Sequence, residues 1–186
     1  MQYKNPWKTL GSRIVYENPW LRLREDQVIR PDGRPGVYSV VEIRPSVGVV
    51  VLDHKQHIAL VGQWRYAHNK FSWEIPTGGS AAGEESIVES AKRELAEETG
   101  IHANNWRALG SIDNSNGATT DVAYLYLATE LTLGSSHQEG NEQLITDWIP
   151  FENAVSMVLD GEITESCSVA GILKVDKLFS SQAKLE

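Results

Sequence analysis

The sequence predicts a layered α/β domain with a mixed sheet, preceded by a small antiparallel β lobe. Three observations carry this reading. Residues 47–52 and 58–61 are near-continuous apolar runs without alternation, as in strands buried on both faces. Residues 84–99 place Ile87, Val88, Ala91 and Leu95 on one stripe at helical spacing, and Gly100 is a natural terminator. Residues 22–30 and 37–44 are rich in β-branched and aromatic side chains and flank the turn-dense Pro31-Asp32-Gly33-Arg34-Pro35-Gly36, which reads as a hairpin.

Taken in order, residues 1–45 form the β lobe and residues 46–186 the main domain. Asp53-His54-Lys55-Gln56 joins the two apolar runs. A short strand over 71–75 stops at Pro76, and Thr77-Gly78-Gly79-Ser80 makes a loop. The long helix starts near Gly83, with Glu84 and Glu85 at the positive end of its dipole. Residues 106–112 and 121–128 read as strands, 134–141 as a polar loop, and 147–150 as extended. Residues 151–159 and 169–179 read as helices. No internal repeat or low-complexity tract interrupts this order.

The 186 residues are 41% hydrophobic and 23% charged, the balance of an ordinary globular chain. One cysteine, Cys167, rules out an internal disulfide framework and fits a reducing, cytoplasmic setting. The first residues show no charged segment leading into an apolar run, and no stretch approaches membrane-spanning length. A net charge of −8 argues against nucleic acid held by a basic surface. It also means that an anionic substrate needs a local cation or a few placed arginines.

The long helix carries carboxylates in a costly arrangement. Glu94, Glu97 and Glu98 stand at i, i+3 and i+4 and share one face. At about 100° per residue, Glu94 and Glu98 flank the direction of Ile87, at the edge of the apolar stripe, where water reaches them only in part. Like charges repel at this spacing, and the last turn of a helix disfavours anions, by a few tenths to about 1 kcal/mol each. A hard divalent cation would reverse these penalties, since clustered carboxylate oxygens are what Mg²⁺ takes. A solvated acidic face is the plain alternative for any one helix.

The wider spacing decides between them. Gly79, Glu85, Arg93-Glu94-Leu95, Glu97-Glu98 and Gly100-Ile101 fall at every fixed position of the Nudix box. Chance alone would give this in on the order of one chain in ten million of this length. The chain therefore resembles the Nudix hydrolases over most of its length. Trp73-Glu74-Ile75-Pro76-Thr77-Gly78-Gly79 and the hairpin-rich first lobe resemble the ADP-ribose pyrophosphatase subgroup, as does Asp160-Gly161-Glu162-Ile163-Thr164 before the last helix.

That resemblance implies a Nudix α/β/α sandwich and Mg²⁺-dependent cleavage of a nucleoside diphosphate sugar, with Mn²⁺ able to substitute. It implies Glu94, Glu98 and the Gly78 carbonyl as metal ligands, with Glu97 beside them. Arg93 would orient the glutamates, pairing with Glu85. Glu142 would be the base or an extra ligand, with Glu139 as its rival on the same loop. Arg65 resembles a phosphate-contacting arginine, although an inter-strand ion pair would also suit it. Glu74 enters the active-site loop directly and so has a claim to proximity to the substrate or the metal. Arg44 could serve the substrate or an ion pair, and Trp20 could stack on a nucleobase or pack in an interface. The first lobe implies a homodimer.

The pattern also departs from the subgroup. Asn116 stands where many ADP-ribose hydrolases carry a proline fifteen residues after the box, and Ala118 where diadenosine-polyphosphate hydrolases favour tyrosine. ADP-ribose and GDP-mannose both stay open as substrates. The rival readings are a non-catalytic sensor of nucleotide sugars, which the intact box disfavours, and a diphosphate isomerase, which the lone Cys167 far beyond the box disfavours.

Overall fold

The computed structural model describes residues 3–80, 86–134 and 144–182. The chain divides into two compact units. One holds Met1–Pro45 and Asp113–Val122, the other Ser46–Ile112 and Ala123–Glu186.

The first unit is built on an antiparallel sheet of β1 (Lys8–Glu17), β2 (Leu21–Ile29) and β3 (Pro35–Ile43), in that order. The β2–β3 hairpin pairs Leu21 with Ile43 and Ile29 with Pro35, as the turn between them predicts. The sequence reading missed β1. Every residue of β1 is exposed, so no core-facing alternation marks it, and its register slips between Thr9 and Gly11 and between Ile14 and Tyr16. The 113–122 segment belongs to this unit because it lies along the free side of β3. Val41 N–H donates to Ala118 O at 2.9 Å, and Thr120 N–H to Val41 O at 3.0 Å.

The second unit is an α/β/α sandwich. One sheet has the order β7 (Thr77–Gly79), β4 (Ser46–Val51), β9 (Val122–Leu133), β8 (Ile101–Asp113), and the other β10 (Ile145–Pro150), β5 (His57–Arg65), β6 (Lys70–Glu74). β4 runs parallel to β9 and antiparallel to β7, so the sheet is mixed. β4 explains the unbroken apolar run. Val47, Val49 and Val51 pack with Ala91 and Leu95 of helix α1 (Ile87–Thr99), whereas Val50 and Leu52 pack with α2 (Phe151–Leu159) and α3 (Ser166–Gln182). Both faces are core, so a polar residue has no place on either.

Two boundaries beside the acidic face need correction, and several strands and the last helix run longer than expected. Thr77–Gly79 is a strand rather than a loop, because Ser46 pairs with Gly79 and Gly48 with Thr77. The long helix begins at Ile87, not Glu84. Ser86 is its cap, its hydroxyl accepting from Glu89 N–H at 3.4 Å. Gly100 ends the helix in the left-handed region, at φ 70°, and β8 starts at the next residue. β8 and β9 are therefore longer than the 106–112 and 121–128 segments expected. Among the described residues, no helix is long and apolar enough to cross a membrane.

Candidate active site

β7 and α1 bring the box residues together. Gly78 pairs with Val47 on β4, and its bare α-carbon faces the helix. A Cβ there would sit 2.1 Å from Oε2 of Glu94. Only glycine lets this carboxylate lie against the β7 backbone. One turn further along the helix, Glu98 is only 6% exposed, and its Oε2 accepts from Thr77 N–H at 3.2 Å. Shielding at the edge of the apolar stripe, expected from the helical spacing, is what places it there. Glu97 is more open, with 42% of its side chain exposed.

Arg93 ties the set together. Its Nη1 donates to Glu94 Oε1 and to Glu97 Oε2, each at 2.8 Å, and its Nη2 to the Gly79 carbonyl at 3.3 Å. Burial alone would lower the Arg93 pKa, but Glu94 and Glu97 outweigh it and hold the guanidinium above its ordinary value. One cation thus offsets part of the repulsion among three acids. Glu85, expected beside Arg93, lies outside the described residues. So do Glu139 and Glu142, the two loop acids.

Arg65 and Glu74 form a second pair, across β5 and β6. Arg65 Nε donates to Glu74 Oε1 at 2.9 Å, and its Nη2 to the other carboxylate oxygen. Glu74 is 1% exposed, so this fork is its partner in a dry place. The hydrogen bond to Glu74 chiefly raises the Arg65 pKa, and the negative charges of Glu165 and Glu98 add to it. That influence of Glu98 ties the pair electrostatically to the box. Both residues line a cavity of about 300 Å³ with Lys70, Thr164 and Glu165.

Glu165 and Ser168 were not anticipated. Glu165 caps α3, accepting from the backbone N–H groups of Cys167 and Ser168 at 2.8 Å. Ser168, fully buried, donates its hydroxyl to Glu165 at 2.8 Å and accepts from Ile75 N–H at 2.9 Å. This fixes the backbone next to Glu74. No local signal joins positions 75 and 168.

Trp20 and Arg44 lie in the first unit and share a cavity of about 280 Å³ with Arg22, Glu42 and Ile43. Trp20 is 77% exposed at the β1–β2 turn, where Asn18 Oδ1 accepts from the N–H groups of Trp20 and Leu21 at 2.9 Å. A larger hollow of about 650 Å³, lined by Leu52, Asn104 and Phe179 among others, shares no residue with the box.

The donors suit a divalent cation. Three carboxylates on one helix face, with Glu94 lying against the bare α-carbon of Gly78, are hard-oxygen chemistry. As they stand, no three acidic, histidine or cysteine side chains among the described residues converge into a cage. Glu94 and Glu97 are instead turned toward Arg93, and Glu98 toward the Thr77 amide.

A glycine-bearing strand and an acidic helix laid on a mixed sheet are the arrangement that the box implies. Comparison with known proteins agrees. Residues 42–166 match the NUDIX domain and residues 7–41 the nucleoside diphosphate sugar hydrolase N-terminal domain. The ADP-ribose pyrophosphatase of Mycobacterium tuberculosis is 32% identical, over 97% of this chain and 88% of its own. The GDP-mannose pyrophosphatase of Klebsiella pneumoniae is 29% identical, over 86% of each chain. A crystal structure of an ADP compounds hydrolase superposes with a TM-score of 0.86 at 20% identity, over 98% of both chains, which supports the fold. The chain belongs to the Nudix family and is a Nudix hydrolase. Members of that family generally use a divalent metal.

Proposed function

We propose that this hydrolase cleaves the pyrophosphate bond of nucleoside diphosphate sugars of the ADP-ribose and GDP-mannose type, releasing a nucleoside monophosphate and a sugar phosphate. The observation that carries this reading is the pressing of Glu94 against Gly78 beside buried Glu98, in a chain whose first lobe matches the nucleoside diphosphate sugar hydrolase N-terminal domain.

Glu94, Glu98 and the Gly78 carbonyl would hold Mg²⁺, or Mn²⁺ in its place, with Glu97 beside them. The cation would neutralise the diphosphate and lower the pKa of the attacking water. Arg93 holds Glu94 and Glu97 in orientation by its hydrogen bonds. Arg65 would offer its Nη1 side to a diphosphate oxygen, while its Nε and Nη2 stay on Glu74, which holds the guanidinium in place. Glu142 would take the proton from water as base or serve as an extra ligand.

Trp20 and Arg44 would meet the nucleoside end, by stacking and by a charged hydrogen bond. The apolar groups on exposed β1, among them Leu10, Ile14 and Val15, support a homodimer that covers them. A reducing cytoplasm suits the single thiol.

The test is product analysis with Mg²⁺ and a panel of ADP-ribose, GDP-mannose, UDP-glucose, a diadenosine polyphosphate, NADH and a deoxynucleoside triphosphate. The expected result is AMP or GMP plus a sugar phosphate from the first two. Turnover confined to the triphosphate or the dinucleotides would refute the substrate class. Tight binding of a nucleotide sugar without turnover would make the protein a sensor.

A further inference from the structure

We propose that Thr120 is a positioning residue: by clamping the end of β3 it sets the geometry of Arg44 and of the pocket that Arg44 shares with Trp20. The inference rests on the reading that this pocket meets the nucleoside end of the substrate.

The clamp is double. Thr120 Oγ1 accepts from Ile43 N–H at 3.0 Å and donates to Ile43 O at 3.3 Å. That carbonyl belongs to the peptide bond leading into Arg44, and Ile43 itself lines the pocket. On the other side Pro45 restricts Arg44 to extended backbone. Arg44 is therefore held between a hydrogen-bonded peptide and a proline, although β3 has ended at Ile43.

The clamp is presented by a loop that closes on itself. Asn114 N–H donates to Asp121 O at 2.9 Å, and Thr119 Oγ1 to Asn114 O at 2.6 Å. Farther along β3, Tyr38 Oη donates to Gly117 O at 2.6 Å. The loop is thus fixed before Thr120 reaches Ile43. Nothing in β3 pairing alone needs the Thr120 hydroxyl, since the Val41 bonds to Ala118 and Thr120 run through the backbone. The hydroxyl adds restraint only at the pocket end.

The experiment measures steady-state hydrolysis of ADP-ribose and GDP-mannose with Mg²⁺ by wild type, Thr120→Val, Thr120→Ser, Arg44→Ala and the Thr120→Val/Arg44→Ala double variant. Thr120→Val is expected to raise KM roughly fivefold, the size of one exposed hydrogen bond, with kcat essentially unchanged. Thr120→Ser keeps the hydroxyl and restores KM. In the Arg44→Ala background Thr120→Val adds nothing, because the two act through one contact. Amide exchange at Ile43, faster in Thr120→Val and normal in Thr120→Ser, reports the clamp without any turnover. An equal KM increase with and without Arg44 would reduce Thr120 to a fold-stabilising residue and overturn the proposal. So would an unchanged KM in Thr120→Val alongside a raised KM in Arg44→Ala. If Arg44→Ala itself leaves KM unchanged, the reading of the pocket falls and takes the inference with it.

Discussion

The α-carbon of Gly78 and the carboxylate of Glu94 occupy the space that one side chain would fill: a Cβ on Gly78 would lie 2.1 Å from Oε2 and 2.2 Å from Cδ of Glu94. The contact joins β7 to α1 and fixes where the Glu94 carboxylate stands. Gly78 is outside the positive-φ set, so its backbone conformation suits any residue. What the position forbids is bulk.

Gly78→Ala therefore separates catalysis from folding. The added methyl must push Glu94 aside, and a shift of about 1 Å at a catalytic group costs on the order of a hundredfold in rate. Alanine also reduces the freedom of the unfolded chain, so the thermal midpoint should move little. Kinetics with Mg²⁺ beside a melting curve would check both halves. An unchanged kcat would show that Glu94 need not stand where it does.

Arg65→Ala should destabilise the protein as well as slow it. It leaves Glu74, 1% exposed, without its fork. Loss of one partner from a fully buried pair costs about 3–5 kcal/mol, and with 40% of the Arg65 side chain exposed a figure of about 2–3 kcal/mol is expected. Adding Glu74→Gln to Arg65→Ala removes the stranded charge and should recover part of the loss. Urea denaturation of the single and double variants measures the coupling. Strictly additive effects would mean that the pair is not what stabilises Glu74.

Ser168→Ala should loosen the link between β6 and β7. The Ile75 amide would lose its acceptor in a buried place, at a cost of about 1–3 kcal/mol. Faster hydrogen exchange at Ile75, with little change at β8, is the expected local signature. Uniform destabilisation without a local effect at Ile75 would argue against this anchoring role.

Glu142→Gln should slow hydrolysis far more than it weakens substrate binding, as expected for a base. Parallel losses in kcat and in affinity would instead make Glu142 a ligand or a structural residue. Glu139→Gln, tested alongside, decides between the two loop acids.

Much of this was legible in the sequence because it is local. The acidic face follows from helical spacing, and so does the burial of Glu98 at the edge of the apolar stripe. The Gly100 stop follows from its freedom at positive φ. The β2–β3 hairpin follows from its turn. Other features depend on contacts distant along the chain and left no local mark. β1 is exposed throughout and bulged, so no alternation betrays it. Thr77–Gly79 becomes a strand only because β4 offers a partner. The Ser168 bond to Ile75 spans 93 positions, and the Thr120 clamp on Ile43 spans 77. The helix start was misplaced because Glu84 and Glu85 suit a first turn by their charge alone, whereas Ser86 supplies the cap.

The central claim is that the carboxylates of α1 hold a divalent cation that the reaction requires, and Glu98→Gln tests it most directly. The amide keeps the shape of the side chain and an oxygen able to accept from Thr77 N–H, so the fold should persist. The measurement pairs turnover of ADP-ribose and GDP-mannose with the rise in melting temperature on adding Mg²⁺, which reports binding to the native state. The expected result is that the wild type turns over substrate and is stabilised by Mg²⁺, while the variant melts normally in the absence of metal, gains far less from Mg²⁺ and loses turnover. A variant that hydrolyses these substrates at the wild-type rate and responds equally to Mg²⁺ would contradict it.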